Sequence, residues 1–197
     1  MLIKYYKYWE KTLEPIPTII SRDCCGGYIY KRFGFQYTSP TIGLYMSNDD
    51  FLLFCLHIGD FLNVELLEIE SCSKINYPIG ILKTLWGNVL IHFLHYKSFD
   101  IAKEKWNIRK KRVDYSNIKI ICDAKPKICE DFIIRFSQIP YKKILLTSCS
   151  DMKKYPFCYN MKCYDMNITP DSLIKKNPMS REYSYIDEYN WINFLSE

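Results

Sequence analysis

The chain has three histidines, His57, His92 and His95, and one of them stands where proton transfer is useful. His95 and Tyr96 close the apolar run Asn88–Tyr96, which reads as a strand. An imidazole at a strand end titrates near neutral pH and can take a proton from a hydroxyl. Asp123 follows the apolar run Ile118–Cys122 and is a second candidate base; Thr147 closes Ile144–Thr147 in the same way. The turn Ser21–Gly27 carries Cys24, Cys25, Gly26 and Gly27 into a helix. Glycines there allow close approach of backbone N–H groups to an anion, and the helix dipole favours a thiolate. The competing reading is that the glycines serve helix packing and the cysteines are inert core residues.

Charge is concentrated in one block. Between Lys97 and Asp114 seven basic residues (Lys97, Lys103, Lys105, Arg109, Lys110, Lys111, Arg112) face Asp100, Glu104 and Asp114. That excess is nearly the whole net charge of +5. The apolar stripe of this segment is Phe99, Ala102, Trp106 and Val113, and Arg109 falls within it. A guanidinium on the buried edge needs a carboxylate, backbone carbonyls or a bound anion; otherwise it snorkels at the rim.

Several chemistries are excluded or disfavoured. Neither GxGxxG nor GxxxxGK[ST] occurs, nor does a CxxC pair, so dinucleotide, P-loop and structural zinc sites lack their ligands. Asp49 and Asp50 lack the DxD spacing of metal-dependent sugar transferases and suit the first turn of a helix capped by Ser47. No metal and no cofactor is expected. A net charge of +5 with acidic helices elsewhere argues against nucleic acid as a partner. Nine cysteines without a regular framework, no signal-peptide pattern and no long apolar span point to a reduced, cytoplasmic setting. Residues 1–13 place Lys4, Lys7 and Lys11 at helical spacing beside Tyr5, Tyr8 and Trp9. That composition suits a helix packed on the domain, or one making peripheral contact with a membrane.

The elements that must position these groups follow from periodicity. Strands are expected at 18–21, 41–46, 64–69, 88–96, 118–122, 144–147 and 157–163. Helices are expected up to Phe33 with Gly34 as its stop, at 51–62, from Ser98 to about Val113, at 129–138 and at 183–194. Alternating strands and helices predict one α/β domain: a Rossmann-like, three-layer arrangement with helices on both faces of a mostly parallel sheet. Strands 18–21, 41–46, 88–96, 118–122 and 144–147 should share that sheet. Ligands then bind at its carboxyl edge, where Gly27 and His95 should share a crevice.

The residues Ser21, Cys24, Gly26-Gly27, Ser39-Pro40-Thr41, Asp50-Phe51, Tyr77-Pro78 and Gly80 together resemble the bacterial DUF1919 family. So does the block His95-Tyr96-Lys97-Ser98-Phe99, with Ala102, Lys105-Trp106, Arg109 and Arg112. The likeness covers about residues 15–165, leaving 1–14 as an N-terminal helix and 166–197 as a C-terminal extension. The chain departs from the pattern at Asp23, where Asn is expected, and at Asp123-Ala124-Lys125. The resemblance implies a setting in exopolysaccharide or capsule synthesis. With the basic, aromatic crevice it suggests a transferase of an activated sugar or sugar phosphate. The substrate is an anionic small molecule, a nucleotide sugar being the expected donor. His95 or Asp123 would be the base; Cys24, Gly26, Gly27, Ser39, Thr41, Tyr96, Lys105, Trp106, Arg109, Arg112 and Thr147 would bind substrate. The rival expectation is a non-catalytic accessory that binds a polysaccharide enzyme or the membrane surface.

Overall fold

Caps and turns cut the chain into short elements. The computed structural model describes residues 13–70, 75–123, 128–147, 150–161 and 184–196. Strand β1 (Thr18–Ser21) is buried throughout and leads into helix α1 (Cys25–Phe33), which Gly34 ends at φ +70°. Helix α2 (Asn48–Leu56) starts at Ser47, whose Oγ accepts the Asp50 N–H at 3.1 Å; His57 separates it from α3 (Ile58–Asn63). Strands β2 (Leu67–Ile69), β3 (Ile79–Thr84) and β4 (Gly87–His92) follow. Helix α4 (Phe99–Lys110) is capped by Ser98, whose Oγ accepts the Ile101 N–H at 3.4 Å. The rest is β5 (Ile118–Asp123), α5 (Glu130–Ser137), β6 (Lys142–Thr147), β7 (Cys158–Asn160), α6 (Ser184–Glu188) and α7 (Trp191–Ser196).

Two sheets form. One is parallel in the order β1-β5-β6-β7; the other is antiparallel in the order β2-β3-β4. Alternation along the parallel strands sends side chains to two cores. Ile19, Ile121, Ile144 and Leu146 pack with α1, α6 and α7. Ile20, Ile120, Cys122 and Leu145 pack on the other side with α2, α5, α4 and the antiparallel strands. The molecule is thus an α/β domain with a mostly parallel main sheet.

Two expected members of that sheet are not in it. Residues 41–46 make a single antiparallel bridge, Tyr45 with His92, because Gly43 at φ +72° breaks the extended run. Strand β4 is antiparallel because a two-residue turn, Leu85-Trp86, joins it to β3, and such a hairpin reverses the chain. It also stops at His92; residues 93–98 turn into α4. His92 therefore ends the strand, and His95 lies beyond it in the turn that leads to Ser98. The expected helix 51–62 is two helices broken at His57, and that at 183–194 is two helices broken before Trp191. The expected N-terminal helix lies outside the described residues, apart from the buried Leu13.

Candidate functional site

The segment 37–46 threads between the start of α1 and the turn after β4, and most of the expected site gathers along it. Tyr96 Oη donates to the Ile42 carbonyl at 2.7 Å. Arg109 Nη1 donates to Tyr96 Oη at 2.6 Å and reaches the same carbonyl at 3.5 Å. The Arg109 guanidinium lies 5.2 Å from the Tyr37 ring centroid, and Arg112 Nη1 donates to the Tyr37 carbonyl at 3.2 Å. Gly27 and His95 face successive residues of this segment. A Cβ built on Gly27 would lie 3.6 Å from Ile42 Cγ2, and one on Gly43 would lie 3.5 Å from His95 Cβ. His95 itself is exposed, its N–H donating to the Gly43 carbonyl at 3.2 Å.

Arg109 is half-buried, and every bond it makes is to a neutral oxygen. No described carboxylate pairs with it, nor with Lys105 or Arg112. Its Nη1 edge is fixed by Tyr96 and Ile42. Its Nε and Nη2 have no partner among the described residues and are not sealed from solvent. A guanidinium held on one edge and open on the other presents a preset two-donor fork to an oxyanion. Burial raises the Tyr96 pKa, with Arg109 opposing, so the phenol stays protonated as the fork's anchor.

The turn Ser21–Gly27 is organised differently from the expected anion cradle. Asp23 Oδ1 accepts the Cys25 N–H at 2.9 Å, and Ser21 Oγ accepts the Gly26 N–H at 3.1 Å. The Cys25 and Gly26 N–H groups are thereby taken by the chain itself, and an anion at either would have to displace a carboxylate or a hydroxyl. Gly26 is a packing residue: a Cβ there would meet Ser21 Oγ at 2.7 Å and Ile19 Cγ2 at 3.1 Å. Burial and the neighbouring Asp23 push the Cys24 thiol up to about 11, which opposes the thiolate reading. Burial pushes Cys25 well up as well.

Four further residues expected to bind substrate have structural surroundings. Trp106 is sealed in the core against Phe54 and Phe93. Thr41 Oγ1 accepts the Ser21 N–H at 3.1 Å and lies 3.0 Å from Ser39 Oγ; both side chains are fully buried. This pair occupies the free edge of β1, a backbone requirement that explains the polar residues at this point. Thr147 is buried at the end of β6.

Asp123 is buried at the end of β5 and forms an ion pair with Arg22, itself buried. Asp123 is thus engaged in an internal ion pair, whereas His95 is exposed. Arg22 also donates to Asn48 Oδ1 at the start of α2 and lies 5.9 Å from the Tyr45 ring centroid. Tyr45 and Tyr77 flank His92, whose secluded Nδ1 has no hydrogen-bond partner; burial lowers its pKa, with Asp50 opposing. Arg22, Asn48 and Tyr45 escaped the sequence reading. The one available signal was an Arg placed immediately after a buried strand. Among the described residues no group of three His, Cys, Asp or Glu side chains is disposed to hold a metal ion.

A family model described as "Domain of unknown function (DUF1919)" matches residues 3–196, a wider span than the motifs alone suggested. An uncharacterized protein of Haemophilus influenzae is 27% identical over 179 residues, covering 91% of this chain and 84% of the relative. The arginine fork, the tyrosines that fix it and the exposed His95 thus sit within a match that runs nearly end to end, and the chain belongs to the DUF1919 family.

Proposed function

We propose that the protein is a transferase acting on an activated sugar or sugar phosphate in cell-surface polysaccharide assembly. The observation that carries this reading is Arg109, half-buried, fixed by Tyr96 and Tyr37, and open on its Nε/Nη2 edge without a carboxylate. Lys105 and Arg112 stand one turn to either side of it on the same face, so that a diphosphate meets three positive charges. His95 takes the proton of the acceptor hydroxyl, and the acceptor oxygen forms its bond to the sugar. The bond from sugar to phosphate breaks, and its electron pair leaves with the diphosphate held by Arg109.

Thermal unfolding with uridine diphosphate glucose and with inorganic diphosphate tests the reading. Ligand at about a hundred times its Kd stabilises by roughly 2.7 kcal/mol, a rise in Tm of about 5–10 °C for a domain of this size. Arg109→Met should abolish the shift and leave the unliganded Tm within about 2 °C. His95→Ala should keep the shift and lose turnover. No shift with nucleotide sugars, or one that survives Arg109→Met, overturns the proposal.

A further inference from the structure

The seven basic residues of the α4 block divide into two groups by what they touch. Lys103 pairs with Glu65 at 2.7 Å, and Lys110 Nζ reaches the Val64 carbonyl at 3.5 Å, so both turn toward the α3–β2 connection. Lys97, Lys105 and Lys111 make no hydrogen bond or ion pair among the described residues, and Arg112 meets only a backbone carbonyl. Those four are exposed. The same side of the helix carries apolar side chains in water: Ile101 is 43% exposed and Ile108 39%, with Leu94 at 38% in the preceding turn. Spacing places them together. Lys105 follows Ile101 by four residues and precedes Ile108 by three; Arg112 follows Ile108 by four. Asp100, Glu104 and Lys111 border the far side of the isoleucines, so the stripe is apolar along its middle, cationic along the Lys105–Arg112 flank and mixed in charge along the other.

An apolar ridge flanked by unpaired cations matches one surface chemistry, the acyl–headgroup boundary of a negatively charged bilayer. We infer that the outward face of α4, with Leu94 and Lys97 before it, docks the protein on an anionic lipid bilayer. Ile101, Ile108 and Leu94 enter the boundary, while Lys97, Lys105, Lys111 and Arg112 meet lipid phosphates. Asp100 and Glu104 tilt the contact toward the cationic flank. This surface is separate from the Lys/Tyr-rich residues 1–13 and goes beyond the transferase reading without requiring it; it shares Lys105 and Arg112 with the proposed diphosphate site, so lipid phosphate and diphosphate compete for those two cations.

Co-sedimentation of the full chain with vesicles tests the inference, using phosphatidylcholine alone and phosphatidylcholine with 30 mol% phosphatidylglycerol (about a third anionic lipid). Binding to the anionic vesicles should exceed that to neutral ones at least about tenfold and should weaken as salt is raised. The double variant Ile101→Ser, Ile108→Ser should lower anionic-vesicle binding roughly tenfold or more. Its Tm and its Tm shift with uridine diphosphate glucose should match the parent's, because both positions are exposed and neither belongs to the arginine fork. Lys111→Glu should weaken binding several-fold as a second, charge-only variant. Equal binding to both vesicle types overturns the inference. So does undiminished anionic binding by the double serine variant, in which case replacing Lys4, Lys7 and Lys11 by Ala locates the contact in the N-terminal segment.

Discussion

Adjacent glycines in α1 do different work, and their surroundings say which matters. Gly26 packs over β1, where a Cβ would press on Ser21 Oγ at 2.7 Å, an atom already held by the Gly26 N–H and the Asp23 carbonyl. That oxygen cannot yield without breaking the turn. Gly27 has an ordinary contact with Ile42 at 3.6 Å and lies in a helix, where Ala is intrinsically preferred. Gly26→Ala should therefore cost about 1–3 kcal/mol, and Gly27→Ala should be neutral or stabilising by up to about 1 kcal/mol. Urea denaturation of the two variants checks this; equal stability would mean that Gly26 is not the packing residue. The same distinction explains why sequence alone left both glycines open as ligand contacts. Two glycines at a helix start look alike until the neighbour of each missing Cβ is known.

At the scale of elements, caps and stops were legible because they are local. Ser47, Ser98 and Gly34 each act where their chemistry placed them. The apolar runs of β1, β5 and β6 were equally plain, since strands buried on both faces need continuous apolar sequence. The β3–β4 hairpin was not, because its Leu85-Trp86 turn lacks the Asn, Asp or Gly that usually announces one. Without that turn β4 could be taken as parallel. The apolar stretch 41–46 reads as a strand until Gly43 adopts φ +72°. Of the site, the block from His95 to Arg112 was readable, whereas Tyr37 belonged to no motif and enters only through tertiary contact with Arg109. Asp50 shows how one side chain joins elements. Its Oδ1 accepts the Leu90 N–H at 3.0 Å and its Oδ2 accepts from Ser47 Oγ at 2.6 Å, tying α2 to the middle of β4. Asp50→Ala removes both acceptors and should destabilise by about 1–3 kcal/mol. Hydrogen exchange should quicken at the Leu90 amide more than at amides of β5. Uniform quickening through both sheets would show that Asp50 is no local tie.

Across the whole molecule a polar chain links the two sheets. Asp123 ends β5, Arg22 follows β1, Asn48 opens α2, and Asp50 on the same helix holds β4. The carboxyl edge of the parallel sheet, where ligands usually enter such folds, is here filled partly by this internal ion pair. The arginine fork of α4 packs instead on the segment 37–46, which meets β1 through Thr41 and β4 through Tyr45. Arg22 and Asp123 are both sealed from solvent, so removing one leaves the other charged and buried without its partner. Breaking such a pair costs about 3–5 kcal/mol, whereas replacing both members by neutral groups costs much less. Arg22→Met and Asp123→Asn should each lower Tm by roughly 6–20 °C. The double variant should fall by no more than either single variant, a coupling energy of about 3–5 kcal/mol. Additive losses would show that the two charges do not depend on each other. The link from sheet to sheet would then have to run through the apolar contacts that α2 makes with both, which the variants leave in place.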